Sequence, residues 1–398
     1  MQVAHLPHNL NTLYLPKKDL MHLFWGGVVR RMAIILLGLF SAIYVYETFV
    51  GLGLTSQLAL ILVLSFFVIE QATRLVALIF AENLSQKIGF KGTIWASSIP
   101  FFLFIPAMIL AKGNPFLFFF AAIFYGMQSS LYWWGYHGYF IKRGDTEHFG
   151  LSISEAGFLE TFAAVATPFF GAVIVSLLGF PLLYFLTGAL VVIALFLVGR
   201  GDEERQRHDV TFGGVLILIR RLKSISLAYV GSGGEGMLYV TLWPLLLYFI
   251  FGQLVSMGEI VSLSVLVSSL FSLAVGQWVD KQGVRSVIRI GTPLVFISWL
   301  IKGLNRSFSA FVFADSFWNF GERMVVYPLN ALTYKKALEG KSTAKAILFR
   351  EVNIIFGSFF AISLVMFFVT IGFDLSSFII IAAVMSLMPL IAYYKRRI

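Results

Sequence analysis

Cysteine is absent from the 398 residues, which excludes disulfides, thiolate chemistry and cysteine-held metal and leaves the redox compartment open. Charge is scarce too. Only 13% of positions are Asp, Glu, Lys or Arg, about half the share of roughly 25% found in ordinary soluble chains. Hydrophobic residues make up 59% and gather in long unbroken runs, so the bulk solvent for this sequence is a lipid bilayer rather than water. A glycine-rich phosphate loop, a His-Glu-x-x-His helix and an aspartate-rich diphosphate motif are also missing, which removes support for ATP-driven pumping and for the commonest membrane enzymes. No cofactor and no metal is expected. The net charge of +10 would point a soluble protein toward nucleic acid. Here the basic residues sit in short segments between apolar runs, as topology signals do, and no nucleic-acid partner is expected.

What is present is a series of runs long enough to cross a ~30 Å hydrocarbon core. They occupy residues 32–54, 57–81, 93–111, 115–140, 155–178 and 180–198, then 224–251, 258–279, 287–304, 308–334, 346–371 and 375–393. These are spans 1 to 12 of an all-α membrane protein. The organisation that follows is a cytoplasmic N-terminal segment (1–31), a first six-helix bundle (32–199), a cytoplasmic linker (200–223), a second six-helix bundle (224–393) and a cytoplasmic tail (394–398). Span 1 lacks a small-residue cleavage site and is expected to be retained.

Lys and Arg are enriched in cytoplasmic loops, and they alternate along this chain in step with the spans. Lys17, Lys18, Arg30 and Arg31 precede span 1; Lys87 and Lys91 follow span 2; Lys142 and Arg143 follow span 4. The linker carries Arg200, Arg205, Arg207, Arg220, Arg221 and Lys223; Lys281, Arg285 and Arg289 follow span 8; Lys335, Lys336, Lys341 and Lys345 follow span 10; Lys395, Arg396 and Arg397 close the chain. Lys112, Lys302 and Arg306 stand on the other side. Both termini are therefore expected in the cytoplasm of a cell inner or plasma membrane.

The halves resemble one another. A single register pairs Tyr44 with Tyr239, Val45 with Val240, Gly126 with Gly321, Tyr132 with Tyr327 and Tyr139 with Tyr334, and sets Tyr125 against Phe320 and Gln128 against Arg323. A tandem repeat of six helices is a known transporter architecture.

After span 8 the chain reads Gly276-Gln-Trp-Val-Asp280-Lys281-Gln-Gly283-Val-Arg285. This resembles the cytoplasmic loop signature of the major facilitator superfamily, G-x-x-x-D-[RK]-x-G-x-[RK]. The equivalent loop after span 2 keeps Lys87, Gly89 and Lys91, with Glu82 and Gln86 in place of the family glycine and aspartate. In span 5, Thr167-Pro168-Phe-Phe-Gly171-Ala172 is similar to an element of exporters in that superfamily. The resemblance implies two pseudo-symmetric bundles that rock about a midplane site, with spans 1, 2, 7 and 10 around a central cavity and spans 3, 6, 9 and 12 against lipid. It also implies a cytoplasmic gate at Lys87, Gly89 and Lys91 in the first loop and at Gly276, Asp280, Lys281, Gly283 and Arg285 in the second.

Seven ionisable residues fall well inside spans, away from their ends: Glu47, Glu70, Arg74, Glu235, Asp315, Glu322 and Arg323. At about 3 kcal/mol each on an insertion scale they must be paired or wet. They lie on spans 1, 2, 7 and 10. Glu70 and Arg74, four apart, are placed for an ion pair on one helix face. Asp315, Asn319 and Glu322 form a polar stripe with Arg323 at its edge. Glu235 sits among four glycines, Gly231, Gly233, Gly234 and Gly236, which permit either close helix approach or local unwinding. Gln128, with aromatic neighbours on span 4, completes the candidate solute and proton site. Glu160 and Glu351, repeat counterparts on spans 5 and 11, are candidate gate partners for loop residues such as Arg285.

The expected activity is secondary transport of a small solute by a monomer, coupled to protons through buried carboxyls, for which partial desolvation brings the protonated form within reach of neutral pH. Five acids against two Arg suggest export of a cationic or amphipathic compound. Import of a sugar or organic acid, with Arg74 or Arg323 on the anion, is the alternative within this class. A non-transporting sensor or scaffold and a membrane enzyme are the alternatives outside it.

Overall fold

The computed structural model describes residues 18–143, 149–199, 212–269, 278, 281–339 and 342–391. The helices are α1 (Lys18–Gly51), α2 (Ser56–Ala96), α3 (Ser98–Leu110), α4 (Leu117–Arg143), α5 (Phe149–Leu178), α6 (Phe180–Val198) and α7 (Phe212–Arg221). They continue with α8 (Lys223–Phe251), α9 (Leu254–Ser269), α10 (Val284–Leu304), α11 (Phe308–Glu339), α12 (Thr343–Thr370), α13 (Phe378–Ser386) and α14 (Met388–Ile391). Span 2 becomes α2, span 3 the end of α2 with α3, and spans 4 to 6 α4 to α6. Spans 7 to 11 become α8 to α12, and span 12 becomes α13 with α14.

Seven of the described segments are both long and apolar enough to cross a membrane. The long helices outside that set are α4 and α11. Their polarity comes from Gln128, His137 and several Tyr and Trp in α4, and from Asp315, Asn319, Glu322 and Arg323 in α11. Helices that line a cavity lose apolar character on one face, and these two do so.

Helix α1 starts at Lys18, well before residue 32. Leu20, Leu23 and Phe24 are 0%, 1% and 2% exposed, so an amphipathic stripe with helical spacing, rather than an unbroken apolar run, carries the helix through this stretch. Helix α2 likewise continues through the expected loop and breaks only at Gly89, whose φ of 78° and ψ of 172° suit glycine alone. Gly283, its counterpart in the second loop, has φ 79° and ψ 157°. The duplicated loop thus repeats its backbone as well as its sequence. Gly276 and Asp280 lie outside the described residues.

Within the first half α2 packs on α4 and α1 on α5 and α6; within the second, α8 packs on α12 and α11 on α9 and α10. The halves meet where α5 lies on α9, α2 on α12 and α1 on α8. Peripheral helices turn large apolar side chains outward: Ile99 on α3, Phe196 on α6, Ile297 on α10 and Ile380 on α13 are all exposed. Glycines set the closest approaches. A Cβ at Gly233 would sit 2.4 Å from the Ile354 carbonyl oxygen and one at Gly357 2.0 Å from that of Val230. Helix α8 runs unbroken past Glu235, so of the two readings of its glycines, close approach is the one realised.

Candidate solute cavity and buried ionic network

Between the halves lies a cavity of about 320 Å³. From the first half Arg31 on α1, Trp133 and Tyr136 on α4 and Glu160 on α5 face it; from the second half Tyr239 and Trp243 on α8, Val261 on α9, and Trp318, Asn319, Glu322 and Arg323 on α11 face it. The polar stripe of span 10 therefore lines the cavity through Asn319, Glu322 and Arg323. Charge in the cavity is balanced across the seam: Arg31 acts electrostatically on both Glu160 and Glu322, and Arg323 does the same. Arg323 is 8% exposed and its Nη1 is buried without a hydrogen-bond partner among the described residues. The rest of the wall is mostly aromatic and aliphatic, with His137, Thr161, Asn330 and Arg350 as further polar lining.

Behind the aromatic wall is a second cluster, enclosed in the second half. Lys302 Nζ lies 2.8 Å from Asp315 Oδ1, and both side chains are 0% exposed. The ammonium sits 4.5–4.6 Å from the ring centroids of Tyr239, Trp243 and Trp299 and 5.6 Å from that of Trp318, a cage suited to cation–π attraction. Asp315 Oδ2 accepts from Tyr239 Oη at 3.0 Å and from Ser264 Oγ at 2.8 Å. Glu235 Oε1 accepts from Trp299 Nε1 at 2.6 Å and also from Trp318 Nε1. Tyr239 stacks parallel on Trp318, centroids 3.2 Å apart, and both rings also face the cavity. One aromatic layer separates the solute space from two carboxyls and an ammonium.

The alternation of basic residues counts Lys302 among the loop residues of the outer side, but it stands inside α10 (Val284–Leu304). Lys302 is wholly buried, on a peripheral helix expected to carry no interior charge. Its position near the end of an apolar run suggests snorkelling; the available sequence signal to the contrary is Trp299, one turn before it on the same face.

Arg30 is a second correction. Read as a loop residue, it lies within α1, 3% exposed, donates from Nη2 to Gln128 Oε1 at 2.5 Å and lies 3.7 Å over the Tyr132 ring. Gln128 is thus engaged in the first bundle rather than facing solute.

The Glu70–Arg74 ion pair is a third. Arg74 turns to Glu351 Oε2 at 3.5 Å and to Gln71 Oε1 at 3.1 Å, while Glu70 is buried beside Gln71. The rule for carboxylate and guanidinium four residues apart describes isolated helices; here a carboxylate on another element offers a better site. Glu351 also receives Arg350 Nη1 and has His137 Nε2 at 3.8 Å, and His137 Nδ1 is hydrogen-bonded with Tyr334 Oη. Arg74 on α2, His137 on α4, Tyr334 on α11 and Glu351 on α12 form a polar tie between the halves. Glu351 belongs to this tie and Glu160 to the cavity, so neither faces Arg285 as a loop partner.

Glu47, at the end of the molecule opposite the linker, accepts from Tyr248 Oη at 2.5 Å across the seam. Nearby Tyr46 packs on Phe249 and Gln57 Nε2 donates to the Val369 carbonyl at 2.9 Å. In the first loop, Gln86 donates to Glu82 Oε1 at 2.5 Å, so the two residues that depart from the signature bond each other. Lys91 lies 5.6 Å from the Tyr139 ring, while Lys87, Lys281, Gly283 and Arg285 are exposed.

No family profile and no curated protein matches the sequence. Solved structures do match in fold. The chain is similar to the human organic anion transporter MFSD10 (TETRAN), with a TM-score of 0.66 and 12% identity over 94% of this chain and 99% of that one. It is similar also to a variant of the E. coli fucose:proton symporter FucP, with a TM-score of 0.64 and 12% identity over 96% of this chain and 98% of that one. The architecture, two six-helix bundles around a central cavity, is the fold of the major facilitator superfamily.

Proposed function

We propose that this chain is a secondary active transporter that moves an amphipathic organic solute by alternating access, coupled to protons and in the direction of export. The observation that carries the reading is the central cavity, where opposite charges act on each other across the seam, Arg31 of the first half on Glu322 of the second and Arg323 of the second on Glu160 of the first. Relative rocking of the halves would separate and re-form these pairs around a solute, which is what a midplane site in a two-bundle transporter requires. Aromatic walls suit an apolar body and the charged floor an ionised group. Of the five acids that suggested a cationic cargo, Glu322 lines the cavity and Glu47, Glu70, Glu235 and Asp315 do not, so the charge of the cargo follows from the lining residues Arg31, Glu160, Glu322, Arg323 and Arg350, the last of which is already engaged by Glu351.

Proton coupling rests on the enclosed cluster. Two carboxyls and one ammonium leave one negative charge in a dry, aromatic site, and a single proton makes the set neutral. That is a strong preference in low dielectric. Tyr239 and Trp318, shared by cluster and cavity, would relay the change. The export direction rests on the span 5 element: a Cβ at Gly258 would sit 2.7 Å from the Pro168 carbonyl oxygen, which puts that element in the seam between α5 and α9.

Proteoliposomes with an imposed pH gradient test the reading. Glu235→Gln, Asp315→Asn and Glu322→Gln should be assayed for gradient-driven movement and for counterflow without a gradient. At least one variant should lose the first and keep the second; three variants that all retain gradient-driven accumulation would remove the proton from the proposal. Topology is checked separately: single cysteines at Lys142 and Lys281 should react only from the cytoplasm of intact cells.

One observation favours a second reading. The Arg323 Nη1 that lacks a hydrogen-bond partner among the described residues fits an organic acid, and import of such a solute would register as accumulation driven by inward protons in right-side-out vesicles, abolished by Arg323→Met.

A further inference from the structure

Helix α7 belongs to neither bundle. Leu222 alone separates it from α8, which crosses the membrane, and the φ of −107° and ψ of 40° at Leu222 end one helix and begin the next. A helix joined so closely to a spanning helix lies at the bilayer surface.

The faces of α7 differ. Val215 is 1% exposed against the protein, whereas Leu216 and Ile217 are 56% and 53% exposed. Residues four apart share a helix ridge, so Leu216 leads to Arg220 along one ridge and Ile217 to Arg221 along the next. Arg220, Arg221 and Lys223 are exposed as well, and the stretch from Phe212 to Lys223 contains no acid. The outward surface is thus apolar in its middle turn and basic in its last. Water solvates the first part poorly, and the second carries positive charge with no ion-pair partner among the described residues. An anionic headgroup region above acyl chains satisfies both, since aliphatic side chains reach the chain boundary while basic ones reach phosphate oxygens.

We propose that α7 is an in-plane anchor that binds anionic lipid through Arg220, Arg221 and Lys223 while Leu216 and Ile217 enter the bilayer, which holds the tether between the two halves to the cytoplasmic leaflet. The inference is independent of what the cavity carries.

The cysteine-free chain allows a direct test. Gly213 is exposed, and an added Cβ there meets nothing within 4 Å, so Gly213→Cys accepts a bimane label without disturbing Leu216 or Ile217. The full-length labelled protein is placed in bilayers of phosphatidylcholine, with or without phosphatidylglycerol, containing lipids brominated near the headgroup. Quenching that rises with phosphatidylglycerol and falls at high salt is expected. Arg220→Gln with Arg221→Gln should lower the docked-to-free ratio about 30-fold in the anionic bilayer, at about 1 kcal/mol per basic residue. Emission typical of water with no quenching in either bilayer would overturn the proposal. So would quenching indifferent to phosphatidylglycerol, or a blue-shifted emission that bromine does not quench, which would mean that protein rather than lipid covers the face.

Discussion

The two halves share a fold and a register, yet they treat the same interior positions differently. Under the register that sets Tyr44 against Tyr239, Glu235, Lys302 and Asp315 of the second half correspond to Phe40, Ala107 and Phe120 of the first. Phe40 and Ala107 are buried in the ordinary apolar way, whereas Phe120 is 44% exposed. Tyr44 sits among Phe118, Phe180 and Tyr184 and donates to the Met108 carbonyl oxygen at 3.2 Å; Tyr239 sits among tryptophans and donates to Asp315. At the positions of Glu235 and Lys302 the first half packs without ions. An enclosed ion pair is generally no more stabilising than apolar residues of similar volume, so the charges of the second half call for a reason other than stability. Proton coupling supplies one.

The repeat also conserves a role while changing its partner. A Cβ at Gly126 would come 2.5 Å from the Glu70 carbonyl oxygen, and one at Gly321 2.9 Å from that of Gly291. Each glycine lets its helix approach a neighbour at backbone distance, α2 in the first half and α10 in the second.

The largest expected effect would break this comparison at Lys302. Lys302→Met strands Asp315 in a dry site and should destabilise the protein by about 3–5 kcal/mol, read as lost thermal stability in detergent. Adding Asp315→Asn removes the stranded charge and should recover most of that loss. If the cluster couples transport, the double variant folds and exchanges solute but does not respond to a pH gradient. A double variant that keeps gradient-driven accumulation would assign the cluster to structure.

How much of this was legible in the sequence depends on the length scale of the signal. The helical spans and the two halves follow from runs of many residues, and the fold agrees with them. The polar stripe on α11 was legible because helical spacing alone puts Asp315, Asn319 and Glu322 on one face. Lys302 and Arg30 were not, because each stands near the end of an apolar run, where a basic residue ordinarily reaches for water. What overrides that tendency is a partner from a distant part of the chain, Asp315 for one and Gln128 for the other. Arg74 failed for the same reason in reverse: a local partner was available at Glu70, and Glu351, remote in sequence, took its place.

A smaller effect separates two arginines that the repeat nearly superposes. Gln128 and Arg323 share a register position, but in the first half the guanidinium comes from Arg30 and is spent within the bundle, whereas Arg323 faces the cavity. Arg30→Met should cost about 1–3 kcal/mol through the unsatisfied Gln128 and the lost contact with Tyr132, with solute affinity unchanged in the folded fraction. Arg323→Met should weaken transport in the folded fraction at least about tenfold, the equivalent of one hydrogen bond to a charged group. Loss of affinity in the Arg30 variant would move the solute site into the first half.

The finest comparison uses one oxygen atom in each half. Tyr44→Phe and Tyr239→Phe remove equivalent hydroxyls and leave both rings in place. The first deletes a bond between neutral groups, worth about 1 kcal/mol; the second deletes a bond to a carboxylate, worth about 1.5–3 kcal/mol, part of which Ser264 and Lys302 retain by staying on Asp315. Stability alone will therefore separate the two variants poorly. Transport should separate them well, because Tyr239 touches Asp315 through its hydroxyl and the cavity through its ring, while Tyr44 is packed in the interior of the first half. The expected result is unchanged gradient-driven transport for Tyr44→Phe. For Tyr239→Phe, the pH dependence of transport should shift while gradient-free counterflow persists. If both variants keep the parent pH profile, the Tyr239 hydroxyl does not link Asp315 to the cavity, and the stack of Tyr239 on Trp318, tested by Trp318→Phe, is left as the path between them.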